Sequence, residues 1–283
     1  MRAFSLLSDR RPLEFLNSFN GLWSVDDDVR IFGTQLASAD PLVLSAVAAA
    51  CHWIASRGKT VELVAPAMCR HLDEMRLFDC LPPDTIVSNR EGPPTPVEVR
   101  KALLPVRRLE SSDDVNRAVE DFRTNAEAYG GWPAGAVKTR LWISLSELLD
   151  NAREHSDSPI GSYAGAWLDD EEGPLRLAVV DLGIGIPDHL RRRAAYGHLS
   201  DQAALREAMK EGVSGVESRE RGMGFVHVKK EARAVSSGQL MIRAGGAQLA
   251  TRFSKRREAR ESSAVDPFPG TWTYLLASRP RRP

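Results

Sequence analysis

The chain has 283 residues, 42% hydrophobic and 27% charged, enough to bury one or two full cores. Lys plus Arg and Asp plus Glu are both 38, so the net charge is zero and nothing favours bulk nucleic-acid or membrane-surface binding. Cys51, Cys69 and Cys80 lack metal-ligand spacing and no stretch reaches the ~20 apolar residues of a bilayer span, so buried thiols and a cytoplasmic location are expected.

In chain order, residues 28–33 read as a strand. Asp40 and Pro41 then open an Ala- and Leu-rich helix to about Ser56, with Asp at the N-cap and Pro in the first turn. Gly58 stops it, residues 60–65 form a second strand, and Pro66 starts another helix through Leu72 and Leu77. Between about residues 81 and 97, Pro82, Pro83, Pro93, Pro94 and Pro96 crowd together, which predicts an exposed linker without regular structure. The chain is divided there into a small α/β domain (1–88), a Pro-rich linker (89–97) and a larger domain (98–283).

The larger domain opens with a strand over 101–109. Ser111 can cap a helix to Tyr129, residues 130–133 (Gly-Gly-Trp-Pro) read as a loop, and 137–155 as a long helix. Strands are expected at 175–180, 238–243 and 271–276, and a helix at 225–235. The charge-dense run 252–261 reads as a solvated turn, and the tail after Arg279 is locally basic.

Three pieces carry chemistry. Glu147, Asn151 and His155 recur every four residues and share one helix face, opposite Leu145, Leu148, Leu149 and Ala152. Alone, such a stripe is read most simply as solvated, and His155 as a structural histidine. Asp181 ends a buried strand and is followed by Gly183 and Gly185; a carboxylate there needs a partner. Gly222 and Gly224 precede a helix, a turn that forms an anion site from backbone N–H groups and the helix dipole. Arg219 and Arg221 fit either a phosphate contact or a surface role.

In this order, with a late Gly270-Thr271, these pieces resemble the N box, G1 box, G2 box and final Gly-Thr of the GHKL ATPases. The resemblance implies a GHKL α/β sandwich, a mixed sheet covered by helices on one face, that binds ATP and Mg²⁺. It implies Asn151 as the metal ligand, since Mg²⁺ needs only one or two protein oxygens. It implies Glu147 as general base toward the γ-phosphorus, Asp181 on the adenine amine, Thr271 on adenine through water, and close backbone approach to the nucleotide at Gly183, Gly185, Gly222 and Gly224. The stretch 187–221 corresponds to the family's ATP lid. The first segment resembles a STAS domain, including the Arg57-Gly58-Lys59 turn; an unrelated α/β domain accounts for the same pattern. Asp40-Pro41-Leu42 falls where antagonists of that type carry a phosphorylatable serine, and the nearest hydroxyls are Ser38 and Ser45, the latter expected on the helix surface. Residues 1–88 are therefore expected to be a docking or dimer surface.

The segment 146–156 looks most like the anti-sigma-factor serine kinase branch. The resulting expectation is an ATP-dependent switch, ATPase or protein-serine kinase acting on a protein partner. The alternative is a non-catalytic ATP-binding component of a multi-protein signalling or defence system.

Overall fold

The computed structural model describes residues 1–6, 15–33, 36, 40–65, 70–89, 101–169, 173–210, 213 and 224–279. Four short strands, β1 (Arg2–Ser5), β2 (Val29–Phe32), β3 (Val61–Val64) and β4 (Ile86–Ser88), pair in parallel in that order. Helix α1 (Pro41–Ala55) connects β2 to β3, and α2 (Arg70–Glu74) precedes β4. Asp40 caps α1 by accepting from the Leu42 N–H at 2.9 Å, with Pro41 at the first helical position, as the sequence predicts. β4 lies within the stretch expected to lack regular structure: a turn closes from Thr85 N–H to the Pro82 carbonyl, and the chain straightens onto the edge of β3. The rest of the expected linker, like Ser38, Cys69, Gly222 and the start of the helix at Pro66, lies outside the described residues.

The remaining elements are β5 (Lys101–Leu109), α3 (Ser112–Tyr129), α4 (Gly131–Ala136), a π-helical turn (Val137–Leu141), α5 (Trp142–His155), β6 (Ser162–Leu168), β7 (Leu175–Asp181), α6 (Gly185–Arg191), α7 (Asp201–Ala208), α8 (Gly224–Val235), β8 (Ser237–Phe253) and β9 (Glu258–Ser278). Ser111 and Asp114 form a reciprocal capping box on α3. The expected loop at 130–133 is instead the start of α4, because Pro133 sits in a first turn whose N–H groups have no intrahelical acceptor. Five strands pair in the order β5-β6-β7-β9-β8, every pair antiparallel, so the sheet is not mixed as expected.

Both faces of this sheet are covered. On one, Leu104, Ala166, Leu177, Val179, Ile242 and Leu275 pack beneath α3, α5 and α8. On the other, Tyr163, Trp167, Val180, Trp272 and Tyr274 join one buried cluster with α1, β2 and β3. Helix α1 therefore lies between the two sheets, and every residue from Pro41 to Cys51 is buried, as an all-round apolar helix must be. Gly165 on β6 marks the close crossing: a Cβ there would stand 3.5 Å from the Pro41 Cβ and 3.3 Å from Val106 Cγ2. Ser45 is fully buried at this crossing, which corrects its expected place on the helix surface. The N-cap is also tied to the second sheet, because Asp40 Oδ2 accepts from the Tyr274 hydroxyl at 2.6 Å and from Arg176 Nη1 at 3.1 Å. Cys51 and Cys80 are buried free thiols, with burial pushing both up to about 12. Among the described residues, no helix is long and apolar enough to cross a membrane.

Candidate functional site

Strand β7 delivers Asp181 to the sheet edge, where the chain turns back through 182–185. The carboxylate is 3% exposed. Its Oδ1 accepts from the Gly183 N–H at 3.0 Å and the Thr271 N–H at 3.1 Å, and no donor reaches Oδ2 among the described residues. Burial pushes this carboxyl up to about 7, and the two N–H donors pull only partly against it.

Three glycines hold the turn by letting the chain approach itself. A Cβ at Gly183 would collide with the Ser156 carbonyl, the acceptor for Ile184 N–H at 2.7 Å. Gly185 and Gly270 both have φ of +73°; a Cβ on the first would meet the Gly270 carbonyl, and a Cβ on the second would collide with the Asp181 carbonyl. Gly270 thus aims the Thr271 N–H at Asp181. Thr271, expected to act on a ligand through water, contacts the carboxylate through its backbone.

From the other side, α5 and α8 run antiparallel and meet rung by rung. At the mouth, a Cβ on Gly224 would lie 2.5 Å from Asn151 Nδ2. One turn deeper, Glu147 Oε1 lies 3.3 Å from His227 Nδ1. The next rung joins the Ser144 hydroxyl to the Val228 carbonyl at 3.2 Å, and the last pairs Arg140 with Glu231 at 2.6 Å. Arg140 belongs to the π-helical turn, a departure from regular helix of the kind that accumulates at functional sites.

Asn151, Asp181, Gly185, Gly224 and Thr271 thereby line one cleft, whose empty space, mouth included, is about 750 Å³. Glu147 and Gly183 do not line it: Glu147 faces His227, and Gly183 faces a neighbouring hollow beside Asp188 and Arg191. Among the described residues, Asn151 Nδ2 is buried with no hydrogen-bond partner. Since amide O and N exchange places by a flip of the group, this is a buried polar end waiting for an acceptor or, reversed, a cation.

His155, Ser156, Ile186, His189, Leu190 and Phe225 also line the cleft. The His155 ring centroid stands 4.9 Å from that of His189 in the cleft wall. Burial, then the nearby His155 and Arg192, hold His189 below the usual histidine range. His189 and Phe225 are partners that only the fold reveals, since nothing in their local spacing ties them to Asn151. The first part of the expected lid is anchored: Asp201 accepts from the Gly246 N–H at 2.6 Å and pairs with Arg191, fastening α7 to the bulge in β8. Ala208 and Val213 reach the cleft from that side; Arg219 and Arg221 lie outside the described residues.

No family model and no curated protein matches the chain. Among solved structures, it is similar to the B subunit of the DNA gyrase from Myxococcus xanthus at 16% identity and a TM-score of 0.28, over 57% of this chain and 43% of that one. It is also similar to a glucosidase from Croceicoccus marinus at 11% identity and a TM-score of 0.15, over 99% of this chain and 59% of that one. The chain thus spans less than two thirds of either protein, and likeness at these TM-scores carries no argument about function.

Proposed function

We propose that the chain is a Mg·ATP-binding protein of the GHKL type, a nucleotide-dependent switch that hydrolyses ATP or passes its γ-phosphoryl group to a serine of a protein partner. The observation that carries this reading is the convergence of Asn151, Asp181 and Thr271, from three distant segments, on one cleft where, among the described residues, no hydrogen bond reaches Asn151 Nδ2 or Asp181 Oδ2. Asp181 Oδ2 suits an exocyclic amine, whose two hydrogens need an acceptor; a guanine carbonyl at that place would face a carboxylate oxygen. The α8 N-terminus at Gly224 suits phosphate.

Among the described residues no group of three or more His, Cys, Asp or Glu forms a metal cage. A cation held by the Asn151 amide oxygen and by phosphates needs none. Mg²⁺ bound in this way supplies charge neutralisation on the phosphates. Glu147 takes the proton from the attacking water or serine hydroxyl. The oxygen bonds to the γ-phosphorus as the bond to the β-bridging oxygen breaks, and ADP leaves with that electron pair. In this reading residues 1–88 cover the back of the ATP-binding sheet, and Ser45 is no internal phosphate acceptor. A protein partner, a second copy included, then binds elsewhere on the surface.

One observation favours a second reading. Glu147 does not line the cleft, as suits a protein that binds ATP and moves no phosphoryl group. Single-turnover incubation with γ-labelled ATP separates the two. Free labelled phosphate, or label on a partner, abolished in Glu147→Ala with ATP affinity nearly intact, supports catalysis. ATP binding without either product supports the binder.

A further inference from the structure

We propose that His227 is the positioning residue for Glu147, an assignment that rests on the catalytic reading above. The imidazole stands between two carboxylates: Nδ1 lies 3.3 Å from Glu147 Oε1, and Nε2 lies 3.3 Å from Glu231 Oε1. Ionised carboxylates only accept hydrogen bonds and a neutral imidazole carries one N–H, so the neutral ring in its Nδ1–H form donates to Glu147, and only the protonated ring donates to both. Glu231 is itself fixed, being 3% exposed with its second oxygen 2.6 Å from Arg140 Nη1. The order of contacts is therefore Arg140, Glu231, His227, Glu147, running from the far end of the helix pair toward the cleft. It engages Oε1 of Glu147 and leaves Oε2 without a partner among the described residues.

The placement matters because the same helix carries both ends of the device. Gly224, at the first turn of α8, abuts Asn151; His227, three residues on, abuts Glu147. A nucleotide settling on the α8 N-terminus would set His227, and through it Glu147, relative to the phosphates. The pair is not needed to hold the helices together. Glu147 and His227 side chains are 35% and 30% exposed, whereas Leu145, Leu148, Val228 and Ala232 are buried in the common core.

The test compares His227→Leu with His227→Gln in steady-state Mg·ATP turnover. A misplaced base costs up to about 100-fold, so His227→Leu is expected to lower kcat about 10- to 100-fold with KM within about 2-fold of wild type. His227→Gln, whose amide can still donate, is expected to recover several-fold. Independently of turnover, the ring-nitrogen NMR signals of His227 should move when Glu147→Gln is introduced. Turnover of His227→Leu within about 2-fold of a working wild type, or unmoved ring nitrogens, overturns the assignment alone. A wild type that binds ATP and never turns over removes the catalytic reading, and the assignment falls with it.

Discussion

Asp181 is stabilising for a ligand and costly for the empty fold. In the unfolded chain its carboxyl titrates near the ordinary 3.8, and in the folded chain near about 7, so the folded state holds the extra proton between these values. Stability from this group is full below about pH 4 and is lost as pH rises to about 7, a change of roughly 4 kcal/mol. Asp181→Asn removes that loss. Its amide also puts a donor in place of an acceptor, and an unsatisfied donor facing a donor costs roughly 2–4 kcal/mol, or about 30- to 1000-fold in affinity. The variant is therefore expected to be more stable than wild type at pH 8, nearly equal at pH 4, and poor at binding ATP. Denaturant titration at the two pH values, with calorimetry at pH 8, checks this; a variant that binds ATP as wild type does contradicts it. At this scale the sequence was informative where a residue type has few alternatives. Asp181 at a strand end and Asn151 on a polar helix face could be singled out, and both line the cleft. Gly183 and Gly185 could be marked too, but their requirement is the chain's own backbone at Ser156 and Gly270. No local spacing encodes that contact.

At the scale of elements, the meeting of α5 with α8 sets the geometry of the cleft. Gly224 is the contact point, since any side chain there presses on Asn151. Gly224 is the first residue of α8, where the interior helix-propensity difference between Gly and Ala has little weight, so in Gly224→Ala the fold should survive with little change in stability. The added Cβ must displace Asn151, and Mg·ATP affinity is expected to fall about tenfold or more while the melting temperature holds. Equal affinity with an unchanged melting temperature would show that the rung is not part of the site. Helices were readable because their caps and periodicity are local: Asp40, Ser111 and the apolar face of α5 placed α1, α3 and α5. Strand β6 was not. Its seven residues are all buried, so it shows no alternation, and Tyr163, Gly165 and Trp167 face α1 while the alanines face α5. A strand covered on both faces carries no period to find. β1 is an exposed edge with only Phe4 partly buried, and β4 is three residues long, so neither carries a pattern to read.

At the scale of the molecule, α1 joins the two sheets, and its N-cap is the fastening. Asp40 accepts from Leu42 N–H, the Tyr274 hydroxyl and Arg176. Asp40→Ala removes a cap and leaves a buried hydroxyl and a half-buried guanidinium short of an acceptor. A loss of about 3 kcal/mol is expected, in one unfolding transition that reports both sheets. Separate transitions for residues 1–88 and the remainder would contradict a shared core. That shared core was hidden in the sequence, because prolines at 82–96 signal a break in regular structure and say nothing of packing across it. ATP binding in the cleft on the opposite face is tested most directly by calorimetry of the wild-type chain with ATP and with GTP, each with Mg²⁺. Saturable ATP binding with GTP weaker by tenfold or more is the expected result. Equal affinity for the two nucleotides, or no heat with ATP, would contradict it.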